Sequence, residues 1–188
     1  MTDPDDAGTT LLEQVREHAL VIGEVTLSSG RRAQYYVDAK RALLLPTAFR
    51  ALGELVAAEA RERDATAVGG LTMGADPIAC AALAAREGDA LRAFFVRKER
   101  KEHGLQRWVE GPVEAGVRCL VVEDTVTTGG STATAIGRVR EEGLEVAGVI
   151  AVVDRLAGGA AKIEAAAEAP YRALVTIDEL YPDRPDRG

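Results

Sequence analysis

The sequence has few aromatic residues and no long uncharged apolar run, and both shortages narrow the classes of protein that it can encode. Aromatic residues make up 4% of the chain and hydrophobic residues 47%, so Val, Leu, Ile and Ala must fill most of the core. This composition is typical of a parallel sheet covered by helices. No apolar stretch approaches the ~20 residues that cross a bilayer, and the acidic N-terminus has no apolar leader. We therefore expect a cytoplasmic protein with no membrane partner.

Cysteines are also scarce, and acidic residues outnumber basic ones. Cys80 and Cys119 lie in apolar runs without CxxC spacing, which predicts two buried thiols in a reducing compartment. The formal charge of −7 argues against a surface built for nucleic acids, because such surfaces carry a basic excess.

The first third of the chain predicts a small N-terminal unit. Thr10 and Glu13 form a capping box that predicts the start of a short helix ending near His18. Two β-rich segments, 25–27 and 35–37, flank a polar loop and predict a hairpin. Pro46 then predicts the start of a longer helix.

Strand and helix patterns alternate from residue 67 onward. This alternation predicts a single α/β domain over residues 1–188, with a central, mostly parallel sheet flanked by helices. The predicted strands are 67–71, 91–96, 118–122, 146–153 and 173–177, and the predicted helices are 77–86, capped by Asp76, 132–142 and 157–169. We expect the tail, residues 182–188, to be frayed.

The segment that follows the strand at residue 118 carries the clearest binding signal. Two acids, Glu123 and Asp124, precede a loop rich in Thr, Gly and Ser that runs into a helix. Free N–H groups and the dipole at such a helix start favour a phosphate group. The acids would repel that phosphate unless they bind sugar hydroxyls or a metal, and a ribose 5-phosphate meets both needs. The alternative is a structural turn with a solvated acid pair.

This segment resembles the signature of type I phosphoribosyltransferases, which bind phosphoribosyl pyrophosphate (PRPP). Thr125 stands where the signature usually has an apolar residue. The resemblance implies that one continuous run of residues binds PRPP. These residues are Glu123, Asp124, Thr125, Val126, Thr127, Thr128, Gly129, Gly130 and Ser131.

A second candidate segment is strongly basic. Residues 97–107 contain five Lys or Arg and two Glu, which gives this segment a net charge of +3 in a protein whose net charge is −7. Charge alone is also consistent with a solvated surface run. The order Arg97, Lys98, Lys101, His103 resembles the flexible catalytic loop of orotate phosphoribosyltransferases, which we expect over about 97–108. The resemblance implies a homodimer in which this loop serves the neighbouring subunit.

Two further features match the same family. The hairpin, part of a hood that we expect over about 9–40, resembles the element that covers the pyrimidine. Arg155 ends a strand and can form a fork with the carboxylate of orotate, although an Asp154–Arg155 salt bridge is an alternative. Ser28 and Met73 stand where many members have Lys, which leaves the contacts of these two positions open.

The resemblance implies Mg²⁺-dependent transfer of ribose 5-phosphate from PRPP to orotate, in pyrimidine (UMP) biosynthesis. Lys101, Asp124 and His103 are the expected catalytic residues. The resemblance implies that the pyrophosphate is bound by Arg97, Lys98, Lys101 and His103. It also implies that Thr127 and Arg155 orient orotate. We expect magnesium to be carried by PRPP, without direct protein ligands.

Two alternatives compete with this hypothesis. The PRPP signature alone does not exclude a purine phosphoribosyltransferase. A PRPP-sensing regulator that binds DNA or RNA is disfavoured, because the chain before the hairpin is too short for a winged helix and the net charge is acidic.

Overall fold

The computed structural model describes residues 4–26, 32–100 and 107–187, and within these ranges the strands form two sheets. The strands are β1 (Leu20–Thr26), β2 (Arg32–Val37), β3 (Ala67–Leu71), β4 (Arg92–Val96), β5 (Val109–Glu110), β6 (Arg118–Val126), β7 (Glu145–Asp154) and β8 (Tyr171–Thr176). β1 and β2 pair in antiparallel fashion as the predicted hairpin. The others form a sheet in the order β5-β4-β3-β6-β7-β8.

The central sheet is parallel except at one edge. β3 pairs in parallel with β4 and β6, and β7 pairs in parallel with β6 and β8. β5 pairs antiparallel to β4 and was not predicted, since two residues are too few to show a period. The chain leaves β3 toward β4 on one side and returns to β6 on the other. A crevice therefore opens between the carboxyl ends of β3 and β6, where ligands of open α/β sheets bind.

Helices cover both faces of the central sheet. They are α1 (Pro4–His18), α2 (Lys40–Leu43), α3 (Pro46–Glu62), α4 (Asp76–Ala84), α5 (Gly130–Glu141), α6 (Gly159–Ala167) and α7 (Ile177–Leu180), with a 3₁₀ turn at Gly88–Ala90. α1 to α4 pack with Leu120 and Val122 of β6. α5 and α6 pack with Cys119 and Val121 of the same strand. Successive residues of β6 thus serve opposite faces, and the predicted α/β class is confirmed.

Several predicted boundaries were wrong in informative ways. α1 begins at Pro4, so Thr10 and Glu13 lie inside the helix and do not cap it. Asp76 is the first residue of α4 rather than its cap, and its carboxylate accepts a hydrogen bond from the Thr72 hydroxyl at 2.7 Å. α5 begins at Gly130, two residues before the predicted start.

The two cysteines differ in environment. Cys119 is buried as predicted, and burial raises the pKa of its thiol to about 12. Cys80 is exposed, which contradicts the prediction. The buried positions of α4 are Ile78, Ala79, Ala81 and Ala82, so Cys80 lies on the outward side of the helix.

In the part of the chain that the structure describes, none of the helices is both long enough and apolar enough to span a bilayer.

Candidate active site

The turn between β6 and α5 is built from closely packed glycines. Gly129 caps α5 with φ of 69°, a left-handed conformation that favours glycine. Gly159, the first residue of α6, lies against this turn. A Cβ on Gly159 would lie 2.8 Å from the Thr127 carbonyl oxygen and 2.9 Å from the Gly129 nitrogen. The start of α6 thus supports the turn from one side, and the backbone geometry of the turn depends on both glycines.

The structure places Thr127, Thr128, Gly129, Gly130 and Ser131 at the start of α5. The first N–H groups of a helix have no partner within the helix, so they are available to an anion. Thr125 and Val126 lie instead within β6, where they pair with Val153 and Asp154 of β7. Any part these two play in PRPP binding must come from the strand end rather than from the loop.

Glu123 supports the turn from within. Its side chain is buried, and one carboxylate oxygen accepts hydrogen bonds from the hydroxyls of Ser131 at 2.9 Å and Thr132 at 3.0 Å. Burial, followed by the charge of Asp124, raises the pKa of Glu123 to about 7. Glu123 therefore connects the carboxyl end of β6 to the first turn of α5.

Asp124 faces different partners. Its Oδ2 accepts a hydrogen bond from Lys40 Nζ at 2.9 Å, and its Oδ1 accepts one from the backbone N–H of Thr125 at 2.9 Å. The loop after β3 packs against the Asp124 carboxylate, since a Cβ on Gly74 would lie 2.5 Å from Oδ1. Asp124 is thus held at the crevice between β3 and β6.

Lys40 is a residue of the site that sequence reasoning missed. Its Nζ lies 3.3 Å from Asp38 Oδ1 as well as 2.9 Å from Asp124 Oδ2. Burial lowers the pKa of Lys40, but Asp124 and Asp38 outweigh this effect and the net pKa is raised. The only local signal was an Asp and a Lys directly after the predicted hairpin.

A second group of residues lies at the carboxyl ends of β3 and β4. The Thr72–Met73 peptide bond is cis, and Met73 is exposed. A cavity of about 390 Å³ is lined by Thr72, Arg97 and Lys98 together with Phe95, Glu99 and Glu110. Arg97 contacts Glu110 Oε1 through Nη1 at 3.3 Å. Lys101, His103 and Ser28 lie outside the described residues.

Arg155 lies at the carboxyl end of β7. Its guanidinium is 5.3 Å from the centre of the Tyr35 ring. Both line a groove of about 380 Å³ whose other lining residues are Arg32, Ala33, Gln34, Pro185 and Asp186. Within the described ranges, Arg155 Nε is buried without a hydrogen-bond partner. An acceptor supplied by a ligand would satisfy this N–H.

Asp154 fixes the turn that carries Arg155. This buried carboxylate accepts a hydrogen bond from the Leu156 N–H at 2.7 Å and another from the Tyr171 hydroxyl at 2.8 Å. Burial and the charge of Asp154 raise the pKa of Tyr171. Among the described residues no ion pair joins Asp154 to Arg155, so the simple salt-bridge alternative was wrong.

Comparison with known proteins agrees with this geometry. A family model described as the phosphoribosyl transferase domain matches residues 46–170. The orotate phosphoribosyltransferase of Streptomyces avermitilis is 54% identical over 178 residues, covering 94% of this chain and 98% of the relative. The Corynebacterium glutamicum enzyme of the same name is 50% identical over 175 residues, covering 93% and 94%.

A solved structure is similarly close. The crystal structure of Mycobacterium tuberculosis orotate phosphoribosyltransferase in complex with PRPP superposes with a TM-score of 0.79 at 42% identity, and the match covers 93% of this chain and 98% of that one. The chain therefore belongs to the phosphoribosyltransferases and, within them, to the orotate phosphoribosyltransferase family.

Proposed function

We propose that this protein transfers ribose 5-phosphate from PRPP to orotate, giving orotidine 5′-monophosphate and pyrophosphate, a step of pyrimidine (UMP) biosynthesis. The observation that carries the proposal is the arrangement of groups along the carboxyl edge of the sheet. Arg97 and Lys98 follow β4, the anion-binding turn follows β6, and Arg155 follows β7. PRPP and orotate present pyrophosphate, phosphate and carboxylate groups that match these three positions.

The 5-phosphate of PRPP is assigned to the turn Thr127–Ser131. This turn offers the free N–H groups of α5 and the hydroxyls of Thr127 and Thr128, a set of donors suited to a phosphate. The Ser131 hydroxyl already donates to Glu123. The M. tuberculosis enzyme was crystallised in complex with PRPP, which supports the same ligand here.

The ribose is assigned to the two acids of β6. Asp124 is held half-buried at the crevice by Lys40, so its carboxylate can accept hydrogen bonds from the ribose hydroxyls and oppose positive charge that develops on the sugar. Glu123 precedes Asp124 in β6, so its side chain points to the opposite face of the sheet, where Ser131 and Thr132 already use one of its oxygens. We infer that Asp124 is the main sugar contact and that Glu123 chiefly shapes the turn.

Pyrophosphate is assigned to the cavity lined by Thr72, Arg97 and Lys98. Lys101 and His103, which lie outside the described residues, are proposed to complete this cation group in the course of the reaction. Magnesium fits as an ion that arrives on PRPP. Mg²⁺ keeps several waters and binds substrate phosphates, so it needs no direct protein ligand in this assignment. When bound, it supplies charge neutralisation on the pyrophosphate.

The orotate carboxylate is assigned to Arg155. A buried Nε–H without a partner and an aromatic ring beside the guanidinium suit a flat, negatively charged pyrimidine. With Thr127, Arg155 would direct a ring nitrogen of orotate at the anomeric carbon of PRPP. A C–N bond forms there while the C–O bond to pyrophosphate breaks, and the proton of the ring nitrogen is released to water or to the departing pyrophosphate. The protein contributes chiefly position and charge, because this reaction asks for little covalent chemistry from it.

The assay that tests this proposal follows the loss of orotate's ultraviolet absorbance when PRPP and Mg²⁺ are added to the pure protein. We expect turnover with orotate and none after magnesium is chelated. In a parallel assay with radiolabelled PRPP, adenine, hypoxanthine, guanine and uracil should not be converted to nucleotides. Turnover of a purine in place of orotate would favour the purine alternative. Binding of DNA or RNA without turnover of any base would favour the regulator.

We also propose a homodimer in which Lys101 of one subunit acts in the site of the other. The support is the resemblance of residues 97–107 to the family's shared loop. Mixing two inactive variants, Lys101→Ala and Asp124→Asn, should restore part of the activity, because one of the two sites in a mixed dimer would carry both intact residues. No recovery from a mixture shown to exchange subunits would contradict a shared site.

A further inference from the structure

Lys162 of α6 lies beside the turn to which the 5-phosphate is assigned. A Cβ built on Gly130 would lie 3.7 Å from Lys162 Nζ and 3.8 Å from Thr128 Oγ1. The ammonium group and the threonine hydroxyl thus both lie within 4 Å of one position beside Gly130, at the start of α5. This closeness follows from the packing of α6 on the turn, because Gly159 lies one helical turn before Lys162 and contacts the backbone at Thr127 and Gly129.

The charge of Lys162 is not used by its own helix. Helical ion pairs join residues three or four apart, and the positions at those distances from Lys162 are Gly158, Gly159, Ala165 and Ala166. Among the described residues no carboxylate forms an ion pair with it. Its side chain is exposed, so it can turn toward an anion at small cost.

The turn itself lacks a cation. Between residues 123 and 131 the sequence contains two acids and no Lys, Arg or His. A phosphate dianion in this turn would meet backbone N–H groups and hydroxyls, but also the nearby carboxylates of Glu123 and Asp124. A positive side chain from outside the segment would offset that repulsion.

We propose that Lys162 is a substrate-binding residue that contacts the 5-phosphate of PRPP and of the nucleotide product. The inference rests on the proposed function, since it takes the turn as the 5-phosphate site. The 5-phosphate is remote from the bonds that change. Its charge is therefore similar in the substrate and in the transition state, so Lys162 acts on binding rather than on turnover.

The test compares Lys162→Ala with the wild-type enzyme, with Lys162→Arg and with Arg61→Ala. Arg61 is an exposed cation at the end of α3, the helix that leads into the amino end of β3, so its removal changes net charge equally at the opposite edge of the sheet. We expect Lys162→Ala to raise KM for PRPP about fivefold at low salt with kcat nearly unchanged, as for an exposed charge pair. Lys162→Arg and Arg61→Ala should stay within about twofold, and the effect should shrink as salt rises.

Two inhibitors locate the contact on the substrate. Ribose 5-phosphate should bind Lys162→Ala about fivefold more weakly, whereas pyrophosphate should bind it as it binds the wild type. An unchanged KM for PRPP in an active Lys162→Ala enzyme would overturn the inference and leave the proposed function intact. Weakened pyrophosphate binding with normal ribose 5-phosphate binding would overturn it also, because the charge would then act at the other end of PRPP. Absence of wild-type turnover would instead contradict the proposed function.

Discussion

The turns after β6 and β7 lie side by side at the carboxyl edge of the sheet, yet they present binding groups in different ways. The turn after β6 uses backbone N–H groups whose positions depend on glycine packing and on Glu123. The turn after β7 uses one long side chain, Arg155, whose backbone is fixed by Asp154 and Tyr171. A backbone site fails when its packing changes, whereas a side-chain site can be removed with the fold left intact.

Gly159→Ala should give the largest effect on the first turn. The added methyl group would lie 2.6 Å from Val126 Cγ1 and within 3 Å of two backbone atoms, so the turn must move. We expect a loss of about 2 kcal/mol or more in the free energy of unfolding, as for overpacked sites, and at least a tenfold higher KM for PRPP.

Gly137→Ala is the matched control for that substitution. Gly137 lies within α5, and a Cβ there would meet nothing within 4 Å. Alanine should stabilise the helix by about 0.5–1 kcal/mol and leave KM for PRPP unchanged. Denaturant titrations and initial rates measure both variants. Equal behaviour of the two would contradict the view that α6 packing shapes the turn.

Arg155→Ala should separate the second turn from the first. Loss of a charge-assisted pair with orotate predicts a KM for orotate about 10- to 100-fold higher, with KM for PRPP and thermal stability nearly unchanged. Arg155→Lys should recover only part of the loss, because an ammonium group cannot form the planar fork. Initial rates, measured with one substrate varied at a time, give both KM values. An equal rise in both would count against the assignment of Arg155 to the orotate carboxylate.

The raised pKa of Glu123, which supports the turn after β6, predicts that the free energy of unfolding depends on pH. Its folded pKa is about 7 against an ordinary value of 4.5, so the folded state retains a proton that the unfolded state has already lost. The contribution to stability is present below pH 4.5 and is lost as pH rises through 7. Between pH 5.5 and 7.5 the free energy of unfolding should fall by about 2 kcal/mol from this group.

Glu123→Gln removes the titrating carboxyl group and keeps an oxygen that can accept from Ser131 and Thr132. The variant should therefore lose most of this slope in urea titrations across the same pH range. The background is small, because the chain has only two His residues. A slope that persists unchanged in Glu123→Gln would assign the titration to another group.

What the sequence could predict depended on how far apart the interacting residues lie. The turn after β6 is contiguous, so a buried strand, a glycine loop and a helix start made it recognisable from the sequence, whereas its packing against Gly159 was not foreseen. The position of Arg155 could be predicted because it directly follows the end of its own strand, β7. Lys40 lies 84 positions from Asp124, and nothing in the local pattern of either residue indicates that contact. Such pairs depend on how the helices and the hairpin pack on the sheet.

Elements with weak periodicity were the other source of error. α4 is rich in Ala, so its apolar residues occur on every side and do not identify the buried face, and the exposure of Cys80 could not be foreseen. The start of α1 was placed too late because a capping box can also occur inside a helix, where its side chains do not cap. The buried face of α4 was thus decided by tertiary packing rather than by local propensity.

Tyr171→Phe should give the smallest effect and test how far the second turn depends on its buried support. The substitution removes the hydroxyl that donates to Asp154 at 2.8 Å and leaves the ring in place. Asp154 keeps its bond from the Leu156 N–H, so we expect a loss of about 1–2 kcal/mol in stability. KM for orotate should rise about threefold, because Arg155 would be held less firmly. KM for PRPP should not change, since the first turn has its own support in Glu123 and α6. A rise in KM for PRPP together with that for orotate would mean that the two turns are coupled through β7. It would contradict the view that they bind their ligands independently.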